Sequence, residues 1–347
     1  MRALRVWDSG EINARSAFVR DQTMMALAAD EGSALLTAWR RDRNGVAFGR
    51  FHRLPVPAPV TCERRITGGR ATPVGPGLLG LTLVVPSVDW LDPGSAPLRP
   101  DQVLNRALRP VLALLRDTVG DAFYPGRDLI TVDGRPVAHA SFIVARDGVC
   151  VVEVQVAVSS GLCALAQWIP KADPGRVAAV DEAMFAGAPS LLDLGAEPHA
   201  PAGVDSNAWL SKLMPVIAAA FSCEVLSQDA PVASVREGIG GRRGGYDGFQ
   251  RERGPVKEPA VSVGAPSMLG AVEASAVLRH GRIHDLVISG DIIAPFRTLE
   301  EISKACEGQP VTEAVIRHRL ARVLSGPRSF LLGCNDLDSL LIRLAGA

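Results

Sequence analysis

The sequence predicts an α+β protein, with mixed sheets and packed helices, followed by a small α+β C-terminal unit. Three observations carry this. Apolar runs of strand length, such as 78–86, are interspersed with segments of helical period in no strict alternation. Between 229 and 262 the composition turns to glycine, arginine and proline, which separates residues 1–228 from 263–347. The chain has 347 residues, 47% hydrophobic and 21% charged, which suffices for a substantial core and two units.

Residues 14–29 carry apolar side chains at helical spacing around Met24, Met25 and Leu27, which predicts an early amphipathic helix. Residues 34–39 and 45–51 read as two short strands about a turn at Asp42–Gly45. The nearly continuous apolar run 78–86 is a buried strand. Residues 101–119 form one helix with Asp101 at its cap. A hairpin follows, 129–132 and 136–145 about Asp133-Gly134, and a further strand, 150–158, after Asp147-Gly148. Residues 161–169 are helical, and 207–221 form a clear amphipathic helix. In the tail, strands 271–278 and 283–289 flank a turn at His280-Gly281. Helices 298–307 and 312–324 then follow, with Thr298 and Thr312 as N-caps and Thr298 paired to Glu301 in a capping box.

Formal net charge is zero, so no nucleic acid or anionic membrane is expected as a partner. The start of the chain lacks a hydrophobic signal core, and no apolar run reaches the ~18 residues of a membrane span. The six cysteines form no C-x-x-C pair; they read as buried thiols, with no metal site, in a reducing compartment. A cytoplasmic protein is expected. Lysine occurs only at Lys171, Lys212, Lys257 and Lys304, which leaves few candidates for lysine chemistry. The segment EGIGGRRGGYDG, 237–248, is most simply linker; an anion-binding loop would need a strand–loop–helix frame that the flanking sequence lacks.

The most informative segment is 64–77, RRITGGRATPVGPG, immediately ahead of the buried strand. Two readings stand. It is a glycine turn flanked by surface arginines, or a loop whose backbone N–H groups and arginines hold a phosphate or carboxylate. Its first eight residues resemble the R-R-x-S/T-G-G-G/R-A loop of the lipoate–protein ligase and octanoyltransferase family, in the biotin–lipoate ligase superfamily. The resemblance extends to Trp7-Asp8-Ser9-Gly10, to Phe48–His52 with His52 where the family has glutamine, and to Gly126–Leu129 with Val132–Arg135. In the tail, Gly270–Glu273, His280–Ile283, Gly290-Asp291 and Leu299–Glu301 resemble the ligases' accessory domain.

The resemblance implies a ligase or transferase that attaches a lipoyl or octanoyl group to a lysine of a lipoyl-domain carrier protein. It implies ATP with magnesium and lipoate or octanoate as ligands, none covalently bound. It places Arg64, Arg65, Thr67, Gly68, Gly69, Arg70, Ala71 and Asp128 around the acyl group or nucleotide. The family's lysine position is Pro136, which has neither charge nor backbone N–H. His139 and Lys171 are weak substitutes, and Arg135 is a further cation nearby; His139 reads more simply as a structural histidine at a strand surface. The transferases' cysteine positions hold Asp121–Tyr124 and Pro170–Ala172, while Cys150 and Cys163 read as core thiols. The alternative is a pseudoenzyme that binds an acyl ligand or a carrier protein without chemistry.

Overall fold

A computed structural model describes residues 2–53, 61–92, 98–167, 185, 187–195, 205–227, 260–326 and 329–346. The expected linker 229–262 lies outside the described residues up to 259, as does Lys171.

Eight strands form one sheet in the order β11-β1-β2-β6-β10-β9-β8-β7. They are β1 (Ala3–Glu11), β2 (Ala34–Arg40), β6 (Leu78–Val85), β7 (Ala122–Phe123), β8 (Leu129–Val132), β9 (Arg135–Val144), β10 (Cys150–Ala157) and β11 (Glu224–Ser227). β1 runs parallel to both neighbours; the other pairs are antiparallel. A small sheet, β4-β3-β5, joins β3 (Gly45–Phe48), β4 (Cys62–Arg64) and β5 (Thr72–Val74). The C-terminal unit is an antiparallel sheet of β12 (Val261–Ser267), β13 (Gly270–Arg279) and β14 (Arg282–Gly290), in that order.

The helices are α1 (Ala14–Glu31), α2 (Pro100–Ala107), α3 (Arg109–Val119), α4 (Leu162–Ala166), α5 (Ser206–Phe221), α6 (Thr298–Cys306), α7 (Glu313–Leu324) and α8 (Leu337–Ile342). One face of the large sheet packs on α2, α3 and α5 through Leu81, Val152, Val154 and Phe142. The other face carries α1, the small sheet and the glycine–arginine loop. Among the described residues no helix is long and apolar enough to cross a membrane.

Several elements differ from the sequence expectation, each for a local reason. The helix expected at 101–119 is two helices, because Pro110 stands in the first turn of α3 and the chain restarts at Leu108. The cap of α2 is Arg99, with Pro100 in the first turn, so Asp101 is already inside the helix. Thr298 is likewise inside α6, buried, with Arg297 as the cap residue; Thr312 caps α7 by position without a side-chain bond. The strand expected at 45–51 ends at Phe48 and joins the small sheet, not β2. β12 starts at Val261, within the segment expected to be linker, where small residues and Pro266 hid the alternation. Cys150 is a core thiol, but Cys163 is exposed, at the start of a helix only five residues long.

The second face of the sheet has a pattern that positions everything below. Registration brings Thr37, Thr82, Glu153 and Ser141 into one row across four strands. The next row is Trp39, Gly80, Gln155, His139 and Leu129. Trp39 lies over Gly80 and donates from its indole Nε1 to Thr82 Oγ1 at 2.9 Å. A methyl at Gly80 would run into that ring. Gly80→Ala is therefore expected to cost about 1–3 kcal/mol in urea unfolding through overpacking; an unchanged midpoint would mean that the ring moves aside without penalty.

Candidate functional site

The loop from Arg65 to Ala71 leaves β4, crosses the two polar rows and enters β5. Its shape is set by Arg65, which is only 6% exposed. The guanidinium donates to the carbonyls of Ala47 (3.0 Å), Gly68 (2.9 Å) and Arg70 (2.6 Å) and to Thr72 Oγ1 (2.7 Å). Burial pushes its pKa down to about 10, against the pull of Glu153, Asp128 and Asp291, so it remains charged at neutral pH.

Thr67 turns inward, bonding Ser141 Oγ at 2.7 Å and donating to the Glu153 carboxylate. Arg70 is fully buried and grips Asp128 with two nitrogens, one of them at 2.9 Å. His139, on β9, lies beside this pair with Nε2 3.6 Å from Asp128 Oδ2, beyond hydrogen-bond reach. It is 2% exposed, a buried histidine and not one at a strand surface. Burial, Arg65 and Arg70 push its pKa well below the ordinary 6.5, so the ring is neutral.

The outer side of the loop is covered by the C-terminal unit. Gly69, with φ +86°, donates its N–H to the Ile292 carbonyl at 2.6 Å. Gly68 approaches so closely that a Cβ there would collide with that same oxygen. The Gly68 N–H points to the Phe142 carbonyl at 3.4 Å. His52 stands beside the Asp291 carboxylate at 3.0 Å and the Gly69 carbonyl at 3.1 Å.

A narrow cleft remains on one flank, with room for roughly one water molecule. Its wall includes Asp21, Trp39, Arg41, Glu63, Glu153 and Gln155, with Arg64 and Arg65 beside them. Arg41 donates to Glu63 at 2.5 Å and to the Ile12 carbonyl at 2.8 Å. Asp21 accepts from Arg20 at 2.6 Å, yet burial pushes its carboxyl up to about 7. Burial raises Glu63 as well.

The expected site residues therefore divide. All but Ala71, which is in the core, bond other parts of the protein; Arg64, whose Nη2 donates to the His52 carbonyl at 3.0 Å, and Arg65 also border the cleft, whereas Thr67, Gly68, Gly69, Arg70 and Asp128 do not. Pro136 is half-buried and Arg135 exposed, both at the outer start of β9. Sequence reasoning missed Asp21, Arg41, Glu153 and Gln155. A signal existed for two of them: β10 reads CVVEVQVA, with Glu153 and Gln155 at alternate positions of an otherwise apolar strand.

The residues fit a nucleotide poorly. Both glycine N–H groups and the guanidinia of Arg65 and Arg70 are committed to protein acceptors, so the loop as arranged offers them to no phosphate. Among the described residues no group of three or more His, Cys, Asp and Glu side chains is placed to hold a metal ion.

The sequence matches no family profile and no curated protein. Among solved structures, P. falciparum LipL1 in complex with lipoate is similar over 100% of this chain and 99% of that one, with TM-score 0.66 and 10% identity. The chain has the lipoate–protein ligase fold. A lipoate-protein ligase A bound with ATP matches 68% of this chain and 93% of its own, at TM-score 0.44 and 16% identity. The bipartite lipoate protein ligase of Thermoplasma acidophilum, studied with its E2 lipoyl domain, matches 68% and 91%, at TM-score 0.45 and 16% identity. The fold assignment rests on LipL1, whose match spans the C-terminal unit of this chain too.

Two predictions follow from the buried charges of this lipoate-ligase fold. Asp128→Asn leaves Arg70 buried opposite a neutral partner and is expected to cost about 3–5 kcal/mol in chemical denaturation; a loss below ~1 kcal/mol would show that the pair is solvated. As pH falls below about 6.5, the unfolded chain takes up a proton at His139 that the folded chain refuses. That removes about 1.4 kcal/mol of stability per pH unit. Stability of wild type relative to His139→Asn should decline with that slope below pH 6.5 and stay level above it; parallel pH profiles would refute a neutral buried ring.

Proposed function

We propose that this lipoate–protein ligase-like protein carries a carboxylic acid, of the lipoate or octanoate kind or related to them, to a lysine of a lipoyl-domain carrier protein in the cytoplasm. The observation that carries the reading is the fold likeness to LipL1 across the whole chain. Arg64, half-buried at the cleft beside the loop and bonded through Nη2 to the His52 carbonyl at 3.0 Å, is the cation we assign to the acid's carboxylate or carbonyl oxygen through the charge its guanidinium carries there, in place of the charge that Pro136 cannot supply.

Because the glycine N–H groups are taken, the arrangement favours a donor that arrives already activated, such as an acyl thioester. The carrier's lysine amine would attack the carbonyl carbon, an amide bond would form, and the thiol would leave carrying a proton.

A second reading, a pseudoenzyme that binds the acid or the carrier without turnover, is favoured by Pro136 together with the neutral, buried state of His139.

One experiment separates them. The full chain is incubated with a lipoyl domain and either octanoyl thioester or octanoate with ATP, and binding of each acid is measured in parallel by calorimetry. Labelling of the domain supports transfer; acid binding without labelling supports the second reading; neither would sink both. Arg64→Gln is expected to weaken acid binding about tenfold to a hundredfold, through loss of a charge-assisted hydrogen bond.

A further inference from the structure

The cleft beside the loop is too small to admit an acid, but its polar atoms are placed as a single water would need them. Gln155 is 4% exposed, and its Oε1 has no hydrogen-bond partner among the described residues. Arg41 is 7% exposed; Nη1 and Nη2 are used on Ile12 and Glu63, while Nε has no partner among the described residues. Asp21 is buried as well, and Arg20 donates twice to its Oδ1 and not to Oδ2. All three side chains line the same cleft, with Arg64 in the same wall.

The cleft thus offers two acceptors and one donor. A water has two protons and two lone pairs. Held here, it donates to Gln155 and Asp21 and accepts from Arg41, and one lone pair remains. That lone pair can attack a carbonyl carbon if a base takes the proton as the new bond forms. Asp21 is suited to this. Burial brings its carboxyl up to about 7, against the pull of Arg20 and Arg41 and with the push of Glu153. A base of that strength is effective and still largely ionised just above neutrality. Glu63 and Arg65 are the other charged groups of the wall.

We propose that the cleft holds a hydrolytic water, so that the chain splits an acyl thioester to free acid and thiol when no carrier lysine is present, with Asp21 as general base and Gln155 as a positioning residue. This rests on the reading that puts the acid's carbonyl at Arg64. The acyl chain stays outside the cleft, and only the carbonyl carbon meets the water at its mouth. The water oxygen bonds to that carbon and one water proton passes to Asp21. The carbon–sulfur bond then breaks with its electron pair on sulfur, and Asp21 returns the proton to the thiolate. The second water proton leaves with the acid.

The test is incubation of the full chain with octanoyl-N-acetylcysteamine and no carrier, with the free thiol read by a chromogenic disulfide. Thiol release is expected at least a hundredfold above buffer, rising with pH and levelling above about pH 7. Asp21→Asn should lower it about a hundredfold and abolish that pH dependence. Gln155→Leu should lower it about tenfold and keep the pH profile. Should Asp21→Asn fail to fold, Gln155→Leu decides. With a lipoyl domain added, both variants should show a lower ratio of hydrolysis to labelling, which a merely structural role would not shift.

Labelling of the lipoyl domain without thiol release in its absence would overturn this inference and leave the proposed transfer standing. Neither labelling nor release would overturn both. Thiol release unaltered in both variants would place the hydrolysis elsewhere and overturn the role of the cleft.

Discussion

A single guanidinium organises the centre of this molecule. Arg65 has no carboxylate of its own; it spends its donors on three backbone carbonyls and a threonine hydroxyl, all belonging to the loop or to the small sheet beside it. A loop of this kind has few internal hydrogen bonds to hold it, so a buried cation that gathers its carbonyls substitutes for secondary structure. Glu153, Asp128 and Asp291 lie near enough to offset part of the cost of burying that charge. They come from a central strand, from the turn ahead of β8 and from the C-terminal unit, so the loop's geometry reports on three distant parts of the chain at once.

The sheet beneath explains why so much polarity is tolerated indoors. One face is uniformly apolar and closed by helices. The opposite face has apolar ends, around Val151 and Ile143 on one side and Leu78 and Ala157 on the other, with the two polar rows between them. Strand pairing aligns those rows in register, so Thr82, Glu153 and Ser141 meet across neighbouring strands. The loop then supplies Thr67 to the same row. Buried polar groups are stable when connected in this way. Where the connection lapses, at Gln155 and Arg41, the cleft begins.

Much of the architecture was legible in advance because it depends on periodicity. The strands at 78–85 and 150–157, the hairpin about Asp133-Gly134 and the helices at 14–31 and 206–221 carry their signal in apolar spacing and turn residues. The losses were of another kind. β4, β5 and β7 are two or three residues long and exist only through their partners. For the site, the loop was recognisable from its glycines and arginines, but the destination of each side chain was not. Nothing local to Arg70 reveals that Asp128, 58 residues away, will consume it. Nothing near Gly69 announces Ile292. Such pairings are tertiary facts, and a motif alone cannot distinguish an arginine that meets a ligand from one that meets its own protein.

The bridge between Gly69 and Ile292 has a consequence for how the two units can be inherited. The C-terminal unit contributes a backbone acceptor to the loop, a fully buried carboxylate beside His52, and an aromatic ring, Phe296, under the Arg50 guanidinium. A lineage that shed residues beyond Val261 would uncover Gly68 and Gly69 and strand the His52 ring without its acid. In this structure the N-terminal unit is completed by those contacts. Its central loop is finished by the other end of the chain, and substitutions at either end are constrained by the other.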